Sequence, residues 1–112
     1  MNKISIIVPC YNEDAALPIY YKEMCKIMAQ MKEEEFELIF VDDGSTDHTL
    51  AEMKTLHEKD ERCQYFSFSR NFGKEAAIYA GLKNATGDYA AIMDVDLQDP
   101  PALLPKMYVR YI

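Results

Sequence analysis

The sequence predicts an α/β fold, an open and mostly parallel sheet with flanking helices. Two observations predict it. Short apolar runs alternate with stretches of helical periodicity, as in successive βαβ units. Three polar clusters also fall at the carboxyl ends of three of those runs, the edge where open parallel sheets bind ligands.

Ile4-Ser5-Ile6-Ile7-Val8 reads as the first strand. Leu17, Tyr21, Met24, Met28 and Met31 then recur at helical spacing, with Pro18 tolerated in the first turn. Phe36 to Val41 is a second buried strand, ended by Asp42-Asp43-Gly44-Ser45. Ser45 is expected as the cap of the next helix, Asp47 suits its positive end, and Leu50, Met53 and Leu56 form its buried face. Tyr65 to Phe68 is the third strand. A helix after Arg70-Asn71-Phe72-Gly73 carries Ile78, Gly81, Leu82 and Ala85 on one face, and Thr86-Gly87 is expected to close it through a left-handed glycine. Tyr89 to Met93 is the fourth strand. Asp99-Pro100-Pro101 starts a last helix bearing Leu104, Met107, Tyr108 and Tyr111. It has a start signal and no stop signal, which reads as truncation after about four strands.

At 112 residues the chain is one domain or less, with no repeat, linker or low-complexity segment. A net charge of −7 argues against nucleic acid or an anionic membrane held by an open basic surface. It permits a phosphate ligand if a divalent cation stands between carboxylates and phosphates. Cys10, Cys25 and Cys63 have neither disulfide parity nor zinc-ligand spacing, so buried free thiols and a reducing, cytoplasmic setting are expected. No secretory leader and no run long enough to span a bilayer is present, and the chain reads as soluble.

The first polar cluster is Pro9-Cys10-Tyr11-Asn12-Glu13. A tyrosine just past a strand end can lay its ring on a nucleobase, with Asn12 or Glu13 reaching polar edges. Its rival is a tight turn whose tyrosine packs on the rim. The second is Asp42-Asp43-Gly44-Ser45-Thr46-Asp47, where one carboxylate can accept from a ribose or a base N–H. Helix capping explains Ser45 and Asp47 there but leaves Asp43 unexplained.

The third is Asp94-Val95-Asp96-Leu97-Gln98-Asp99. Strand alternation places Asp94 and Asp96 on one face about 6–7 Å apart, with Val95 turned away and Gln98 continuing the series. Hard oxygen ligands so arranged suit Mg²⁺ or Mn²⁺, which keeps waters and takes substrate phosphates as well. Arg70 and Lys74 flank Gly73 beside a helix N-terminus and can hold a phosphate there, although surface ion pairing accounts for them equally well. His48 and His57 have no partner at metal-ligand spacing and are expected to face solvent.

Taken together, residues 6–13 (IIVPCYNE), 41–47 (VDDGSTD) and 94–96 (DVD) resemble the inverting family 2 glycosyltransferases of the GT-A fold. Residues 69–75 (SRNFGKE), 85–89 (ATGDY) and 96–101 (DLQDPP) are similar to a narrower group, the polyprenyl-phosphate glycosyltransferases. The resemblance implies that Pro9, Tyr11 and Glu13 line the base and ribose, and that Asp43 contacts the uracil or ribose while Asp42 shapes the same turn. It further implies that Asp94, Asp96 and Gln98 hold the metal on the donor diphosphate, with Arg70 and Lys74 near the phosphates or sugar. The implied partners are a nucleotide-diphosphate sugar and a polyprenyl phosphate. Uridine or guanosine, and glucose, mannose or another sugar, stay open.

Family members continue past this length with acceptor-binding segments, so no catalytic base is named, the fragment is expected to lack turnover, and its open sheet edge makes self-association plausible. A sugar-nucleotide pyrophosphorylase is the rival enzyme, but it is expected to carry a glycine- and lysine-rich loop where this chain has Pro9 to Glu13. A phospho-receiver domain places its acidic pair after the first strand rather than the second. A degenerate, binding-only domain is the third alternative.

Overall fold

The computed structural model describes residues 2–95 and 109–110. Its elements run β1 (Asn2–Cys10), α1 (Ala16–Gln30), β2 (Glu34–Asp42), α2 (Thr49–Lys59), β3 (Cys63–Ser67), α3 (Lys74–Asn84), β4 (Tyr89–Ile92) and β5 (Val109–Arg110). The strand order is β3-β2-β1-β4-β5. β1 lies parallel to β2 and β4, and β2 parallel to β3. The sheet is therefore open and mostly parallel, as expected. Its fifth strand is the correction: Val109 and Arg110 pair antiparallel with β4, where the sequence predicted helix through Tyr111. Leu104, Met107, Tyr108 and Tyr111, with the helix start at Asp99, lie outside the described residues.

β1 and β2 form the centre of the sheet because both of their faces are covered. Ile4, Ile6 and Val8 with Leu38 and Phe40 pack against Leu17, Tyr20 and Met24 of α1 and Met53 and Leu56 of α2. Ile39 and Val41 face Ala77 of α3 on the other side. Each such large side chain contributes about 1.5–3 kcal/mol by leaving water. On α1 the deepest aromatic is Tyr20, whose ring meets Phe40 edge-on at 6.3 Å, while Tyr21 lies at the margin of the stripe. α3 buries Ala77 and Gly81 rather than the expected Ile78 and Leu82. Small residues let its backbone approach: a Cβ on Gly81 would lie 2.5 Å from Ile7 Cγ2.

Two local expectations fail for physical reasons. α2 begins at Thr49 rather than just after Ser45, and its first turn is held by Asp47 Oδ1, which accepts from the Thr49 N–H at 2.9 Å. Gly87 does not adopt a left-handed conformation. A side chain there would meet Ser5 Oγ at 2.6 Å and the Lys3 carbonyl at 2.7 Å, so β1 passes too close for anything larger.

That close passage belongs to a polar network at the amino edge of the sheet. Glu37 is buried, and its Oε1 accepts from Ser5 Oγ and the Thr86 N–H, each at 2.6 Å. Oε2 accepts from Thr86 Oγ1 at 3.1 Å and faces Lys3 Nζ at 3.6 Å. Burial pushes the Glu37 carboxyl up, but the bonds from Ser5 and Thr86 and the Lys3 charge outweigh it and hold the group below its ordinary range. The three cysteines are free thiols, with Cys10 and Cys63 buried. Among the described residues no helix is long and apolar enough to cross a membrane.

Candidate functional site

From β1 the chain winds outward to β2 and β3, then crosses back to lay β4 on the other side of β1. The switch point lies at the carboxyl ends of β1 and β4, where open α/β sheets bind ligands. A cleft of about 360 Å³ opens there, lined by Pro9, Cys10, Tyr11, Glu13, Asp43, Lys74, Asp94 and Val95. Six of the expected binding residues thus share one cavity: Pro9, Tyr11, Glu13, Asp43, Lys74 and Asp94.

The loops after β1 and β2 are clasped together, which fixes one side of the cleft. Asn12 sits at φ 53°, a conformation asparagine tolerates better than most residues. Its backbone N–H donates to Ser45 Oγ at 2.9 Å, and its side-chain oxygen accepts from the Thr46 N–H at 2.8 Å. The Glu13 N–H donates to Thr49 Oγ1 at 2.8 Å. Asn12 and Ser45 therefore form the clasp, and Ser45 does not cap α2. Tyr11, at the turn before it, keeps 46% of its surface exposed. A ring so presented has a free face for a flat ligand. The thiol of Cys10 lies in the cleft wall, and burial, with Glu13 and Asp42 adding to it, pushes its pKa far up, so it remains a neutral apolar group.

Adjacent strand-end residues point to opposite sides, and this separates the two aspartates. Asp42 is 2% exposed and turns inward, accepting from the Ser45 N–H and Ser67 Oγ, both at 3.0 Å. It shapes the turn, as the resemblance implied, and does not line the cleft. Asp43 accepts from the Phe72 N–H at 2.7 Å and the Gly73 N–H at 3.0 Å. It thus anchors the loop entering α3, a structural role that helix-capping patterns in its own segment did not reveal. The Phe72 and Gly73 N–H groups, beside the helix N-terminus where the sequence predicted a phosphate, are already taken by Asp43.

Gly44 permits the arrangement. It takes φ +76°, and a Cβ there would fall 2.2 Å from the Arg70 carbonyl carbon. Arg70 itself stacks over the Phe72 ring at 4.8 Å and does not line the cleft. His48 faces solvent beside Asp14 at 3.5 Å. His57 is less free than expected, with Nδ1 2.7 Å from the Cys63 carbonyl and its ring edge-on to Tyr65.

Asp94 lies two residues past the end of β4, so ladder alternation no longer governs its direction. Val95 is buried yet lines the same cleft as Asp94, so the two are not separated as strand alternation predicted. The Asp94 side chain is 26% exposed, and Lys74 Nζ stands 2.6 Å from its Oδ1. Asp96 and Gln98, the other expected metal ligands, lie outside the described residues. Among the described residues no three acidic, histidine or cysteine side chains cluster to hold a metal. Asp94 still fits one. It is a hard oxygen donor on the cleft that already attracts a cation, and Mg²⁺-type sites need only one or two carboxylates alongside water and substrate phosphate. The cleft therefore combines an aromatic platform, a cation-seeking carboxylate and an exposed ammonium, which suits a flat base joined to a metal-bridged phosphate.

Comparison with known proteins agrees with this geometry. Residues 5–111 match the profile of glycosyl transferase family 2. The chain is 43% identical over 109 residues to a prophage bactoprenol glucosyl transferase homolog of Escherichia coli, covering 97% of this chain and 35% of that protein. It thus spans about a third of the length of such relatives. A mannosyltransferase of Pyrobaculum calidifontis, solved with GDP-Man and Mn²⁺, superposes with a TM-score of 0.77 at 24% identity, over 92% of this chain and 30% of that one. TarS of S. aureus, solved with UDP, superposes with a TM-score of 0.66 at 28% identity, over 93% and 32%. The fold is that of the GT-A glycosyltransferases, and the chain belongs to glycosyl transferase family 2.

Proposed function

We propose that this family 2 glycosyltransferase chain binds the nucleotide-diphosphate sugar donor in a metal-assisted, inverting transfer to a polyprenyl phosphate. The observation that carries the reading is the meeting of Tyr11, Asp43, Lys74 and Asp94 on one cleft at the switch point. Tyr11 offers its ring to the base, and Pro9 and Glu13 complete that wall. Asp43, fixed by the α3 loop, offers a rigid acceptor to the base or ribose. Asp94, with Asp96 and Gln98 beyond it in sequence, takes Mg²⁺ or Mn²⁺. When bound, that ion offsets the negative charge that develops on the departing nucleoside diphosphate.

The likeness to bactoprenol glucosyl transferases and the motifs at residues 69–75 and 96–101 support a polyprenyl phosphate acceptor. A phosphate acceptor is already ionised at neutral pH, so placing it matters more than deprotonating it. A lipid acceptor puts the longer protein at a membrane surface, on the cytoplasmic side where sugar nucleotides are made available. We assign acceptor recognition and turnover to residues outside this chain. Uridine and guanosine are both candidate bases, since the superposed structures hold UDP and GDP-Man. β3 forms one margin of the sheet and leaves a strand edge for self-association.

Calorimetric titration of UDP and of GDP, with and without Mn²⁺, tests the reading. One nucleotide is expected to bind only with Mn²⁺, and Asp94→Asn to weaken that binding more than about tenfold, or 1.4 kcal/mol. Equal binding without metal, unchanged in the variant, contradicts it.

A further inference from the structure

Lys74 is the first residue of α3, where an ammonium is poorly placed, because a helix N-terminus carries partial positive charge. Its ion pair with Asp94 joins a side chain 59% exposed to one 26% exposed, an arrangement that contributes little to stability. Neither the helix nor the fold accounts for Lys74. What the ammonium does at 2.6 Å is neutralise the carboxylate that faces the cleft.

We propose that Lys74 is an internal counter-ion for Asp94, which keeps a bare divalent cation out and yields the carboxylate only when the cation arrives with a diphosphate. The inference rests on the proposed donor site and adds an order of loading to it. Local charge decides that order. Lysine and aspartate together are neutral, and a divalent ion arriving alone adds two positive charges to that neutral pair. The same ion accompanied by a nucleotide sugar's diphosphate, with two negative charges, adds no net charge. Of the other acidic groups lining the cleft, Asp43 is already bonded to the Phe72 and Gly73 N–H groups. Once released, the flexible ammonium meets the diphosphate. Lys74 is thus a positioning residue for metal entry and a direct contact for the loaded donor.

The test compares wild type, Lys74→Gln and Lys74→Arg in two titrations. The first is Mn²⁺ alone, followed by the paramagnetic resonance signal of the free ion, and the second is UDP or GDP with saturating Mn²⁺. Lys74→Gln is expected to bind Mn²⁺ alone roughly threefold to tenfold more tightly, since both a competing and a repelling charge are gone. The same variant is expected to bind nucleotide with Mn²⁺ more weakly, and Lys74→Arg to follow wild type in both. A merely structural lysine does not move the two affinities in opposite directions. Mn²⁺ affinity that stays unchanged or falls in Lys74→Gln overturns the proposal, as does tightening in both titrations. If Mn²⁺ alone behaves as expected but no nucleotide binds any of the three proteins, the counter-ion role is supported and the sugar-nucleotide reading fails.

Discussion

The two ends of the sheet each hold a carboxylate beside a lysine, and they use it differently. At the amino edge, the Glu37 side chain is 3% exposed and both oxygens are bonded by Ser5, Thr86 and Lys3. At the carboxyl edge, Asp94 is 26% exposed and paired with a lysine that is itself mostly in water. A carboxylate surrounded by the chain's own donors is part of the architecture, since releasing it strands those donors. One held by a single mobile cation on a cleft is available to a ligand. The charge pairing looks the same in both places, and the number of internal partners tells them apart.

The largest expected effect breaks the amino edge. Glu37→Ala leaves the Ser5 hydroxyl and Thr86 N–H without their acceptor and is expected to destabilise the fold by about 2–4 kcal/mol in urea melts. Nucleotide affinity, measured well below the melting point, is expected to stay unchanged. Gly44→Ala comes next, at about 2–3 kcal/mol, because it combines a left-handed backbone with a collision against the Arg70–Asn71 peptide. It also disturbs the Asp43 anchor, so it is the stability variant expected to weaken nucleotide binding too.

Asn12→Ala sharpens the contrast at about 1 kcal/mol, since the clasp it opens lies at the surface. Its expected signature is a several-fold loss of nucleotide affinity with a small change in melting, because Tyr11 loses its fixed turn. Acid produces the smallest expected effect. The Glu37 carboxyl is depressed in the folded state, so its stabilisation is fully present above its unfolded pKa of about 4.3 and is lost as pH falls through the lower folded value. Asp60, held far below its ordinary range chiefly by Arg62, adds a loss with the same sign. Urea midpoints are therefore expected to fall below about pH 4, and less steeply in Glu37→Gln.

The sheet was legible in the sequence because β1 and β2 are buried on both faces and read as near-continuous apolar runs. The cleft was legible because a parallel sheet brings its strand ends to one edge, which gathers Tyr11, Asp43, Lys74 and Asp94 there. What stayed illegible depends on contacts distant in sequence. Asp43 capping the α3 loop, Ser45 serving Asn12 and Gly87 making room for β1 each answer to a partner about 30 or more residues away. Local pattern assigned Ser45 to a cap and Gly87 to a left-handed turn because those are the nearest uses of such residues. The strand at Val109–Arg110 was missed for a related reason, since two residues carry no period of their own.

Anomalous diffraction from crystals grown with Mn²⁺ and UDP or GDP tests the central claim most directly. The account predicts a manganese peak within bonding distance of an Asp94 carboxylate oxygen, the nucleotide phosphates on its other side, and Lys74 Nζ moved away from Asp94. A nucleotide bound elsewhere, or manganese bound with the Lys74–Asp94 pair intact, contradicts it.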